Sequence, residues 1–215
     1  MAISSHLTLL TGIAGINVYI VRILKLPFDI SLHFYFFFFV GVIITGILKM
    51  FFYSSVGAGF LGTLGSSALL YVSIHWIILG NTINIPLLYI QGLLLGFGAS
   101  MTLVSGSMAT LLDGDLKEAA QRSQTMHTMR NFSAAMLIPI IAYTIKNHIQ
   151  KGTQSIYAEN ITDKMIYLKK LQDVAIDADH QIFLLMIIFN MVMFVSSIIQ
   201  MILGKGRRIT PPRES

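Results

Sequence analysis

Arg130 and Asn131 stand side by side at the mouth of an apolar run. An arginine in that position needs a partner: an acidic group, a lipid phosphate, or an anionic or polar solute. Gln91 lies inside a second apolar run, and Asn17 lies inside a third. A polar side chain is expensive in hydrocarbon, so each of these either bonds to a neighbouring helix or faces a solute path. Arg130, Asn131, Gln91 and Asn17 are therefore the candidate substrate-pathway residues, with Arg130 holding a gate or an anionic group. His75 and Asn190 read as interhelical hydrogen-bonding groups instead.

Other chemistry is missing from the pattern. The chain has no cysteine, which excludes disulfides, thiolate metal sites and cysteine catalysis. The six histidines form no pair at metal-binding helical spacing, and neither GxSxG nor HExxH occurs. No catalytic residue, metal site or cofactor is expected, and the chain does not read as an enzyme. No Asp or Glu falls inside any apolar run. His33 and His75 are thus the only ionisable candidates there for proton coupling.

The elements that must carry these residues are set by composition. Hydrophobic residues make up 54% of the 215 residues and charged residues only 12%, about half the share in ordinary soluble domains. The mean hydropathy is +0.71. A water-soluble fold of this size could not bury so much apolar side chain, whereas a bilayer can surround it. A membrane-spanning helix needs about 20 mostly apolar residues. Six stretches qualify, at about 7–24, 31–53, 55–79, 86–112, 126–145 and 181–203. The expectation is an all-α membrane protein with six transmembrane helices. A polar outer loop at 146–180 carries the glycosylation-type triplet Asn160-Ile161-Thr162, and a basic tail occupies 205–215. Asp115 and Glu118 form a capping-box pattern ahead of the fifth span.

The net charge of +5 is spread between apolar runs and concentrated at the tail. It fits anionic lipid rather than nucleic acid, because no basic face forms. Lys117, Arg122, Arg130, Lys205, Arg207 and Arg208 fall on one face of a six-span arrangement. The positive-inside rule makes that face cytoplasmic, with both termini on it. A multi-pass protein of the cell (inner) membrane is expected.

Small residues recur at helix-packing spacing. Gly57, Gly59 and Gly62 spell GxGxxG, but inside an apolar run with no preceding strand. That favours close helix contact over nucleotide binding. Gly62 and Gly65 in the third span, and Gly92, Gly96, Gly98 and Gly106 in the fourth, are candidate packing positions.

The run from about Gly92 to Tyr143 resembles the penultimate-span region of major facilitator superfamily transporters, in the fourteen-span drug:proton antiporter branch. A Gly-rich span ends in the acidic loop Asp113-Gly114-Asp115, and a small-residue-rich helix follows. His127-Thr128-Met129-Arg130-Asn131 then occupies a step like the family's Asn-x-x-Arg-Gln, so Arg130 matches the family's arginine. Ser133, Ala134 and Ala135 replace the family's following glycines, and the signature loop of the N-terminal half is absent. The resemblance implies one half of a facilitator-type bundle, the C-terminal one. It would work with an N-terminal half-transporter or as a homodimer, moving a small organic solute or drug by alternating access, in the direction of efflux. The alternative is a non-transporting membrane scaffold or the inactive remnant of a truncated transporter.

Overall fold

The structure, a computed structural model, describes residues 1–80, 82–112, 116–159 and 163–203. The acidic loop 113–115 with the Asp115 cap, the triplet 160–162 and the tail 204–215 lie outside the described residues. Among the described residues the chain is all α-helix and short helical turns, without a strand. The helices are α1 (Ala2–Asn17, continued by a π-helical turn Val18–Ile23), α2 (Phe28–Val56), α3 (Ala58–Ile77), α4 (Ile85–Leu112), α5 (Ala119–Ala158) and α6 (Lys164–Ile202). A 3-10 turn, Leu116–Glu118, leads into α5.

Local chemistry sets the breaks. Gly57 adopts φ 83° between α2 and α3, a conformation a side chain would disfavour, so the chain reverses there in one residue. At the start of α4 the Asn84 side chain accepts from the Leu87 amide at 3.3 Å, with Pro86 in the first turn. Asp163 caps α6 by accepting from the Met165 amide at 2.8 Å.

The packing puts α4 against α1, α2, α3 and α5, while α6 packs on α1, α3 and α5. Met1 meets Ser197 and Gly59 meets Met201. The two ends of the described chain therefore lie together, at what is called here the proximal end. Tyr19, Leu79 and His180 mark the distal end. The core runs between these ends through Ile16, Phe34, Leu69, Trp76, Leu95, Phe183 and Met186.

Glycines set the closest approaches. A Cβ on Gly92 would meet the Phe34 carbonyl oxygen at 2.8 Å, and one on Gly96 would overlap the Phe38 carbonyl. The Gly92–Gly96 face thus seats α2 rather than α3. Gly65 and Gly98 face each other between α3 and α4, Gly106 lies on the Ala2 backbone, and Gly62 lies under Met1 and Ser197. Hydroxyls add bonds in the same seams: Ser5 to Thr102 at 2.6 Å, and Thr45 to the Phe97 carbonyl at 3.1 Å.

Among the described residues five helices are long and apolar enough to cross a membrane: α1 with its π turn, α2, α3, α4 and α6. The outer face of α2 presents Phe28, Phe36, Phe39, Ile43, Ile47 and Met50, all exposed. Such a belt suits hydrocarbon rather than water. The sixth expected span, 126–145, belongs to α5, which is not among the five. Its apolar middle, 132–145, is about 21 Å long, short of a hydrocarbon core of roughly 30 Å.

The stretch 146–180, read as an outer loop, is helical over most of its length. It is the end of α5 and the start of α6. His180 is level with the end of α3, so α6 runs about 24 Å past the bundle. Gly152 lies against Val174, the Tyr157 and Tyr167 rings sit 6.1 Å apart, and Lys170 pairs with Glu159. A polar helix pair reads as a loop when judged by hydropathy alone. Here each helix gives the other a partner.

Candidate functional site

Two polar centres stand out, one at each end of the bundle. The proximal one is a cavity of about 640 Å³ between the start of α1, the end of α4 and the start of α5. Met1, Ala2, Thr110, Gln121, Thr125 and Met126 line it, with Glu118 and Arg122. Arg122 reaches back over the loop. It donates to the Leu111 carbonyl at 3.2 Å and pairs with Glu118 at 3.4 Å. A cation there satisfies the C-terminal carbonyls of α4.

Arg130 lies two turns further along α5, half-buried, with its Nη2 3.4 Å from Nδ1 of His6 on α1. Its Nε is buried without a hydrogen-bond partner. The guanidinium thus points into the α1–α5 seam rather than out to headgroups. His6 carried no spacing signal, so its pairing with Arg130 was visible only once the helices met. An arginine held in a helix seam with one donor unpaired can hold an anionic or strongly polar group of a gate.

The other three sequence candidates are not gathered around Arg130. Asn131 is exposed on the outer face of α5, and Asn17 is exposed at the end of α1. Gln91 is buried between α3 and α4, where its Oε1 accepts from the Trp76 indole N–H at 2.8 Å. Asn190, fully buried, donates to the Leu69 carbonyl at 3.2 Å and to Ser73 at 3.1 Å, tying α6 to α3. His75 stacks on Tyr71. Exposed His33 bonds its own helix at the Asp29 carbonyl.

The Gln91–Trp76 bond carries a test. Gln91→Leu leaves a buried indole N–H unpaired, at a cost of roughly 1–3 kcal/mol. Thermal unfolding in detergent should shift down accordingly. Trp76 is the only tryptophan, so its emission should change as well. Unchanged emission and stability would show that the bond contributes nothing.

The distal centre was missed from sequence. Asp179 lies in the stretch read as loop, yet on α6 it is only 2% exposed, and neither carboxyl oxygen has a hydrogen-bond partner. The signal was periodicity: Ile176, Ile182, Phe183 and Met186 share its face and are all buried. The expectation that no carboxylate enters the helical interior is therefore corrected. On the same end, the Tyr19 hydroxyl donates to the Gly80 carbonyl, and His180 Nε2 donates to the Leu79 carbonyl at 2.8 Å.

No group of His, Asp and Glu among the described residues could hold a metal ion. Comparison with protein-family models, with curated proteins and with solved structures finds no match to this chain.

Proposed function

We propose that this chain is a membrane-embedded half-transporter, working against a second helical bundle to move a small organic solute across a bilayer. The observation that carries the proposal is α5. Leu111 lies at the proximal end and His180 at the distal end, so α5, which joins them, runs the length of the bundle. Yet it is too polar to count as a lipid-facing span. Of its 40 residues only Met126, Leu137 and Ile156 are buried, and its open face mixes His127 and Asn131 with exposed Phe132, Met136, Ile138 and Tyr143. A crossing helix that hydrocarbon does not suit must be covered by water or by protein. The wall of a solute path between two bundles supplies both.

The six-span topology, a cell-membrane location and cytoplasmic termini belong to the same proposal. They rest on this geometry and on the Lys and Arg bias at the proximal end. The resemblance of 92–143 to facilitator-type antiporters supports rocking of one bundle on another as the mode of access.

The experiment is uptake of a fluorescent organic cation such as ethidium into liposomes containing the purified chain. Flux above that of protein-free vesicles is expected at densities where α5 faces of two copies cross-link. Background flux at those densities would overturn transport.

A further inference from the structure

Asp179 places a buried carboxyl where nothing neutralises it. Among the described residues no ion pair and no hydrogen bond reaches either oxygen. Asp179 belongs to no group of His, Asp and Glu among the described residues that could hold a metal ion. The remaining species that makes such a burial tolerable is a proton on the carboxyl itself.

The surroundings give that proton a consequence. Tyr19, fully buried on the π turn of α1, is close enough for charge on Asp179 to act on it. Its hydroxyl holds the Gly80 carbonyl, while His180 holds the neighbouring Leu79 carbonyl. These two bonds clasp the end of α3 to α1 and α6. The other titratable groups of this end include half-buried His75 on α3 and half-buried His148 on α5, with Arg22, Lys25, Asp29, His33, Lys146 and Asp177 all exposed. None is bonded to Asp179.

We propose that Asp179 is a proton-binding site that controls the clasp of Tyr19 and His180 on the end of α3. With the proton on, the carboxyl is neutral and the clasp is closed. When the proton passes to water at the distal end, the buried carboxylate draws the Tyr19 O–H toward itself, and the Gly80 carbonyl is released. A π-helical turn is a common place for such a rearrangement, since its extra residue per turn can migrate. The proposal does not depend on solute transport.

The full chain reconstituted in lipid vesicles allows a direct test. Asp179 is the only buried acidic side chain among the described residues. The wild type should show the infrared C=O band of a protonated carboxylic acid at neutral pH. That band should disappear as pH is raised above neutral, and Trp76 emission should change in step. Trp76 lies 5.3 Å, ring to ring, from Phe183, one turn from Asp179. Asp179→Asn should lack the band and show emission that is flat with pH. A wild type with no protonated-acid band at neutral pH overturns the proposal, and so does an Asn variant that keeps the pH-dependent emission. If the variant does not fold, the wild-type band alone decides.

Discussion

Gly96→Val is expected to destroy the folded bundle, while Gly46→Ala, on the same α2–α4 pair, leaves it intact. The Gly96 Cα rests on the Phe38 backbone, and an added Cβ overlaps the carbonyl. Backbone cannot rotate aside as a side chain can, so α2 and α4 must separate along the length that Gly41 and Gly92 also hold close. The cost should reach about 3 kcal/mol, the upper end for overpacking, or more. Gly46 has nothing within 4 Å of its would-be Cβ, and alanine there gains up to about 1 kcal/mol of helix propensity. Thermal unfolding in detergent with size-exclusion profiles separates the two. Equal stability of both variants would show that α2 does not seat on the Gly92–Gly96 face.

Arg130→Ala is expected to remove most solute flux without unfolding the chain. Arg130 touches His6 in a half-buried seam, so its loss leaves no large cavity and no buried partner charge. Its role lies in the charge it holds in the α1–α5 seam. Losing the charge-assisted contact by which Arg130 holds a gate corresponds to about 1.4 kcal/mol or more, a tenfold fall in ethidium uptake. Arg130→Lys keeps the charge but not the planar fork, and should recover part of the flux. Uptake unchanged in Arg130→Ala would remove this residue from the solute path.

Much of the fold was legible because a bilayer imposes a coarse rule. Runs of about 20 apolar residues mark α1 to α4 and the second half of α6 without any knowledge of contacts. Glycine spacing was equally readable, since Gly62, Gly65, Gly92, Gly96, Gly98 and Gly106 all meet a neighbouring helix. Which neighbour each one meets was not readable. Spacing marks a face, and only the tertiary arrangement says that Gly96 meets α2 while Gly98 meets α3.

The same coarse rule hid the rest. Hydropathy treats any polar stretch as loop, so 146–158 lost its helix, 164–180 showed only a weakly amphipathic pattern over 161–175, and Asp179 was lost beyond it. Its register with Ile176 and Phe183 shows the burial once a helix is assumed. Asn17 misled for a related reason. The buried stripe of α1 runs through Ser5, Thr8, Gly12, Gly15 and Tyr19, and Asn17 stands off it. Polarity alone chose the residue, where the stripe of small residues marked the inward face. Gln91 was chosen for a solute path, yet it lies buried and bonded to Trp76, a partner that comes from another helix.

The absence of cysteine gives single-cysteine labelling a clean background for asking whether α5 crosses the membrane with a wet outer face. In sealed vesicles, a membrane-impermeant maleimide should modify Gln124→Cys and Gln154→Cys from opposite sides. Asn131→Cys should react where Phe39→Cys, on the exposed apolar face of α2, does not. Modification of Gln124→Cys and Gln154→Cys from one and the same side would place α5 outside the bilayer. An Asn131→Cys as unreactive as Phe39→Cys would leave no solute path for it to line.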